Sequence, residues 1–258
     1  MLSLEHVYTA CSFFFCFYRE AGIMKGNIND SCMKQGCLTY TDEKGGLIML
    51  ELKLKSGEVK QCEAGAYVHE LLEAWNVKEA VYAVTLDGKL HDLNYRIKKS
   101  GALDYIYADS ETGKLIYERS LNFLFIVAVR SLFPDARVRM EHALSGGQYC
   151  EIDKAGYCKP QDVRKIEKRM KELIAANEVI HRRVVATAEA QAYFDRLGMK
   201  NKANLLACRK SATSSIYTLC GYDDYFYGIM LPDTSYLTHF SIRFYAPGVW
   251  LSAGNGFQ

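Results

Sequence analysis

The chain has 258 residues, 49% of them hydrophobic and 24% charged, with a formal net charge of +2. That balance excludes a disordered or fibrous chain and leaves room for two ordinary domains. The near-neutral charge argues neither for nor against a polyanionic partner.

Nine cysteines are scattered through the chain with no C-x-x-C pair, and their number is odd. Free thiols in a reducing cytoplasm fit this better than disulfides or a zinc ribbon. The apolar run of residues 11–18 is too short to cross a bilayer. It has neither a basic segment before it nor a cleavage site after it, so neither a membrane nor secretion is indicated. Residues 1–48 are expected to form a poorly ordered leader, with Met49 as a natural start.

From Met49 the pattern sharpens. Leu50, Leu52 and Leu54 alternate with charged residues, Ser56-Gly57 turns the chain, and Val59 to Cys62 returns it as a hairpin. Val68, Leu71, Leu72 and Trp75 mark one face of a short helix. Val81 to Leu86 reads as a strand, Asp87-Gly88 as a hairpin turn, and Leu103 to Tyr107 as a last strand. Residues 49–109 thus predict a small β-grasp-like domain. Residues 115–133 form a hydrophobic helix ending at Pro134.

Residues 138–183 read as strand, tight turn, strand and one long helix, expected to be the spine of the larger domain. Gly146-Gly147 supply the turn, Pro160 the helix start and Asp162 negative charge in the first turn. Val163, Ile166, Met170, Leu173, Ile174 and Ile180 define the apolar face, and Arg164, Lys165, Lys168 and Arg169 lie on the other. That basic face is either a solvated helix surface or a contact for RNA phosphate. Residues 188–197 form a further helix, and 216–219 and 240–244 read as strands.

Residues 49–109, with Ser56-Gly57, the helix Val68-His69-Glu70-Leu71-Leu72 and the run Asp87-Gly88-Lys89-Leu90, resemble a TGS domain, the ubiquitin-like module at the front of threonyl-tRNA synthetases. The order that follows resembles the second additional, editing-type domain of threonyl- and alanyl-tRNA synthetases over residues 115–245. It comprises the helix ending at Pro134, Arg137-Val138-Arg139, the Gly-Gly hairpin, Tyr149-Cys150-Glu151-Ile152-Asp153 and Glu167-Lys168-Arg169-Met170. The resemblance implies an α+β architecture, with residues 246–258 left as a tail.

Editing domains of this family carry H-x-x-x-H on the first helix and C-x-x-x-H in a later loop. Counted from Leu132-Phe133-Pro134 and from Asp224 to Pro232, those positions fall on Phe123, Val127, Phe226 and Met230. All four are apolar, so neither a metal nor an activated water is expected there. None of the six histidines forms a ligand pair. His142, beside Gly146-Gly147, is the best placed and is expected to face the cleft. Cys150 reads as buried packing. No phosphate loop of the G-x-x-x-x-G-K-[ST] type occurs.

The run from Cys220 to Pro232 holds four aromatics in six residues. With Tyr236-Leu237 and Phe240 it resembles the matching loop of bacterial uridine-kinase-like nucleoside kinases, ATP-dependent enzymes that carry a TGS domain and a degenerate synthetase-like domain before the kinase domain. This chain stops at Gln258, about where that domain would begin. Two readings of the loop stand. One is apolar filling of a vacated metal site; the other is a stacking surface for a base or nucleoside formed by Tyr222, Tyr225 and Tyr227. The resulting expectation is a non-catalytic nucleotide- or RNA-binding regulatory segment without cofactor or metal. Its expected partners are a nucleotide, a transfer RNA, or a kinase domain in trans. The alternative is a freestanding editing hydrolase of mischarged transfer RNA that uses groups such as His142 and Cys150.

Overall fold

A computed structural model describes residues 47–144 and 146–254. The expected leader lies outside the described residues apart from positions 47 and 48, as do Ser145 of the hairpin turn and the last four residues. The architecture is α+β. The described chain divides into two compact units, one running to Asn76 and including Tyr95–Leu103, the other comprising Val77–Asn94 and everything from Asp104 onward. The stretch 49–109 contributes to both.

In the first unit β1 (Met49–Leu54) buries alternate residues, Leu50, Leu52 and Leu54, while the residues between them face solvent. A turn at Gly57, with φ +88°, returns the chain as β2 (Val59–Glu63), antiparallel to β1. Helix α1 (Val68–Ala74) buries Val68 and Leu71, and the Glu70 carboxylate accepts the Tyr67 N–H at 3.1 Å.

The second unit opens with the hairpin β3 (Val81–Leu86) and β4 (Lys89–His91), turned by Asp87 and Gly88 at φ 51° and 76°. These are the paired positive values a two-residue hairpin loop needs. Strand β5 (Gly101–Tyr107) begins in the first unit, where Leu52 to Leu54 pair with it in parallel, and ends in the second.

Helix α2 (Glu111–Leu132) follows. Ser110 Oγ caps it, accepting from the Gly113 N–H at 3.0 Å. Tyr117, Leu121, Phe123, Leu124, Phe125, Val127, Ala128 and Val129 of α2 are all buried, so the helix is apolar around most of its circumference. A helix of that kind belongs in the middle of a core. This corrects the expected spine, because the amphipathic helix α3 (Pro160–Ala175) covers the core with one face only, through Val163, Ile166, Met170 and Leu173. Pro160 opens α3 and the Asp162 carboxylate accepts the Lys159 N–H at 3.1 Å.

The core of the second unit lies between these helices and a four-stranded antiparallel sheet of order β11-β12-β7-β6. It comprises β6 (Arg137–Leu144), β7 (Gly147–Asp153), β11 (Ser241–Tyr245) and β12 (Gly248–Ser252). Strand β12 lies within the stretch expected to be a tail. It is instead an inner strand, with Val249 and Leu251 turned into the core. Two alternating apolar residues are too short a pattern to announce a strand.

A three-stranded antiparallel sheet, β10-β9-β8, joins β8 (His181–Ala186), β9 (Thr213–Leu219) and β10 (Tyr222–Tyr225). Helices α4 (Thr187–Arg196) and α5 (Lys200–Ala207) pack on it through Ala190, Phe194, Ala203 and Leu206 around Ile216. The expected continuation of the long helix through Ile180 does not occur. Helix α3 ends at Ala175 and the Ile180 N–H donates to the Pro232 carbonyl at 2.8 Å, starting β8. Ile180 is buried by that pairing rather than by helical spacing. On β3, the Tyr82 ring lies 6.0 Å from those of Tyr117 and Tyr236, which places the β3–β4 hairpin on the same core.

Candidate functional site

The segment from Phe226 to Pro232 is held by three contacts to its backbone, two from α2 and one from β9. Tyr217 Oη donates to the Gly228 carbonyl at 2.7 Å, and Arg119 Nη1 donates to the Ile229 carbonyl at 2.5 Å. The Leu231 N–H donates to the buried Ser120 hydroxyl at 3.0 Å, which itself donates to the Ile116 carbonyl. Gly228 is required twice over. Its φ is +97°, and a Cβ there would lie 2.8 Å from the Arg119 guanidinium carbon. Burial pushes the Arg119 pKa down and that of the Tyr217 hydroxyl up to about 12, so Tyr217 stays a protonated donor at neutral pH.

This seating brings the Phe226 ring to 5.4 Å from that of Phe123, at an interplanar angle of 60°. Phe123, Val127 and Met230 are buried in the same core, and Phe226 packs against it half-exposed. The two tilted rings form an apolar contact that itself leaves no polar atom to satisfy. Among the described residues no group of three or more His, Cys, Asp or Glu side chains could hold a metal ion.

Beside this contact lies a cleft of about 290 Å³ lined by Leu90, by Arg182 and Val184 of β8, by Arg209 and the hydroxyl-rich strip from Ser211 to Ser215, and by residues 225–229. The described lining holds two arginines and no carboxylate. Arg182 is already engaged, donating to Asp92 at 2.8 Å and to Ser215 at 3.1 Å. Arg209 lies over two rings, 5.1 Å from that of Tyr227 and 5.7 Å from that of Tyr225, and donates to the Tyr225 hydroxyl. Its Nε is buried and unpaired among the described residues. Tyr227 is 74% exposed. The cleft thus offers one guanidinium, two aromatic rings and several hydroxyls, a set suited to an anion carried on a flat ring.

The other residues singled out in the sequence lie elsewhere. Tyr222 packs under the Arg130 guanidinium at 5.1 Å, against the core and outside the cleft. His142 does not face the cleft as expected. A register shift between Met140 and Ala143 sets its ring 5.5 Å from that of Tyr149. Arg164, Lys165 and Lys168 are exposed on α3, but Glu172 draws in Lys168 at 4.0 Å and Arg169 at 3.2 Å, and Arg169 also donates to Ser131. That face is laced with intrahelical ion pairs rather than uniformly basic. Arg209 escaped the sequence reading. A single arginine between a helix and a strand has no periodicity to betray it.

Cys150 and His142 cannot act together. Cys150 is fully buried with its Sγ 3.2 Å from Met140 Sδ, whereas the neighbouring Tyr149, against which His142 rests, points from the opposite face of β7. Burial pushes the Cys150 thiol up to about 12. Iodoacetamide at pH 8 is therefore expected to alkylate Cys208 and Cys220, which are exposed, and to spare Cys150, as read by peptide mass mapping. Rapid native labelling of Cys150 would contradict this placement.

The pair Asp223-Asp224 is structural. Asp223 accepts from Thr218, from Tyr193 and from Arg183, each at 2.5 Å, and Asp224 is paired with Lys202. Burial pushes the Asp223 carboxyl up, but the Thr218 and Tyr193 hydroxyls and the Arg183 charge outweigh it and hold the pKa below the ordinary value. A lowered folded-state pKa means stabilisation that is complete above the unfolded value, about 3.9, and lost as pH falls through the folded one. Asp223→Asn is thus expected to lower the free energy of unfolding at pH 7 by roughly 1–3 kcal/mol, read by urea denaturation, with the gap from the parent closing below about pH 4.

No protein-family model matches the chain. It is 30% identical over 203 residues to the threonine–tRNA ligase of Pelobacter propionicus, covering 78% of this chain and 32% of the ligase. The figures are 31% over 205 residues for the ligase of Burkholderia lata and 30% over 203 residues for that of a Geobacter species, with the same shares covered. The chain carries a region similar to threonine–tRNA ligases. It spans about a third of the length of these ligases. No helix among the described residues is long and apolar enough to cross a membrane.

Proposed function

We propose that this chain is a non-catalytic nucleotide- or RNA-binding segment of the threonyl-tRNA-synthetase type, in which the position of an editing centre has been filled with apolar side chains. The observation that carries the reading is the Phe123–Phe226 ring contact, in a core that also buries Val127 and Met230. Nothing in that contact can bind a metal or polarise a water. The cleft beside it keeps the means to bind, with Arg209 for an anionic group and Tyr225 and Tyr227 for a ring. In this reading the ligand is a transfer-RNA end or a free nucleotide, and occupancy rather than turnover is the output. The finer reading, a front segment that works with a nucleoside-kinase domain in trans, rests on the sequence of the run from Cys220 to Pro232 with Tyr236-Leu237 and Phe240.

Two assays on the full chain test the proposal. Incubation with mischarged transfer RNA is expected to release amino acid no faster than buffer does. Titration with transfer RNA and with nucleoside monophosphates is expected to show saturable binding, weakened by Arg209→Ala about 10- to 100-fold through loss of a charge-assisted contact. Protein-dependent deacylation would overturn the non-catalytic reading in favour of an editing hydrolase. Binding indifferent to Arg209 would overturn the assignment of the cleft.

A further inference from the structure

The four-stranded sheet has two faces, and only one of them is used by the core. Cys150, Ile152, Ile242, Val249 and Leu251 point inward and are buried. Strand alternation sends their neighbours to the other side. Register places Trp250 opposite both Tyr149 on β7 and Arg243 on β11. The bulge in β6 adds His142 to the same side.

The outcome is a row of rings across the strands. His142 lies 5.5 Å from Tyr149, and Tyr149 lies 5.7 Å from Tyr245, which is 53% exposed. The Arg243 guanidinium lies 5.3 Å over the Trp250 ring. Trp250 is fixed by its indole N–H, which donates to the Leu144 carbonyl at 2.7 Å, and by Gly147, where a Cβ would lie 2.6 Å from the indole ring. The surface is therefore ordered before anything binds.

We propose that this outer sheet face is a platform on which unpaired bases of single-stranded RNA stack. A row of rings across the strands, exposed at His142 and Tyr245 and half-buried at Tyr149 and Trp250, with a guanidinium among them, provides π-faces for successive bases and a cation for the phosphates between them. The charge distribution fixes where the backbone runs. Glu151 and Glu141 occupy Arg139, with Glu151 at 2.6 Å, so the charge of Arg139 is neutralised. Among the described residues Arg243 has no carboxylate partner, which places the phosphates along β11. A duplex cannot use this surface, because its bases are already stacked on one another. An extended peptide finds no free backbone groups on a sheet face, because those groups are paired within the sheet. The proposal concerns a different surface from the cleft and stands if the cleft binds nothing.

The chain has two tryptophans, Trp75 and Trp250, so Trp75→Phe makes Trp250 the sole reporter. Titrating that full-length variant with a single-stranded RNA dodecamer is expected to quench Trp250 emission saturably, while the same sequence as a duplex leaves it unchanged. Tyr245→Ala and Arg243→Gln are each expected to weaken binding about tenfold or more, with the circular-dichroism spectrum retained. Arg209→Ala and Tyr227→Ala, which alter the cleft, are expected to leave the quenching intact. Unchanged Trp250 emission at saturating RNA, equal quenching by duplex, or quenching by a neutral oligosaccharide in place of RNA would each overturn the proposal.

Discussion

Phe123→Ala is expected to lower the free energy of unfolding by about 3–5 kcal/mol, the range for removing a fully buried phenylalanine. Phe123 is 0% exposed and meets Phe226 ring to ring, so little around it can close over the space left behind. Phe123→His probes the same position from the chemical side. An imidazole there would replace a fully buried ring in an apolar core, where a polar group costs stability unless it is hydrogen-bonded. Both variants are expected to lose stability in urea denaturation, and zinc is expected to restore nothing to the histidine variant. A rise in its urea midpoint on adding zinc would show that the filled site retains a coordination geometry.

Gly248→Ala is expected to cost about 3 kcal/mol or more, at or beyond the upper end of overpacking effects. A Cβ at Gly248 would lie 2.1 Å from the Cys150 carbonyl oxygen, and backbone cannot swing aside as a side chain does. The β12–β7 pairing that seats Val249 opposite Cys150 would have to part, opening the sheet along its middle. The expected result is a lower urea midpoint together with faster hydrogen exchange in β7 and β12. Gly57→Ala makes an instructive contrast, since nothing lies within 4 Å of a Cβ there and only the strain of φ +88° is incurred.

Much of this architecture is written in local pattern. Alternating leucines announce β1, Asp87-Gly88 and Gly146 announce their hairpins, although Gly147 proves to be the first residue of β7 rather than a second turn glycine, and Pro160 with Asp162 marks the start of α3. What the pattern hides is tertiary. Ile180 keeps the helical period, yet the Pro232 carbonyl claims its N–H and the chain becomes a strand. His142 sits beside the glycine turn, but a bulge that no residue type signals turns it away from the cleft. Phe123 and Phe226, 103 residues apart and both singled out in the sequence, meet as rings in contact. Arg209 is different in kind. Its importance comes only from the Tyr225 and Tyr227 rings it lies over, sixteen and eighteen residues further on.

The seating of Tyr82 decides how this protein can be cut and moved. Its ring is 8% exposed and belongs with Tyr117 and Tyr236, although a reader of the gene would assign it to the module upstream. A fragment starting at residue 110 would be synthesised with an empty slot beside α2, open to water and to other chains. Grafting the larger unit onto another protein therefore means transplanting residues 77–254 as one cassette, with Tyr95–Leu103 carried along as a passenger.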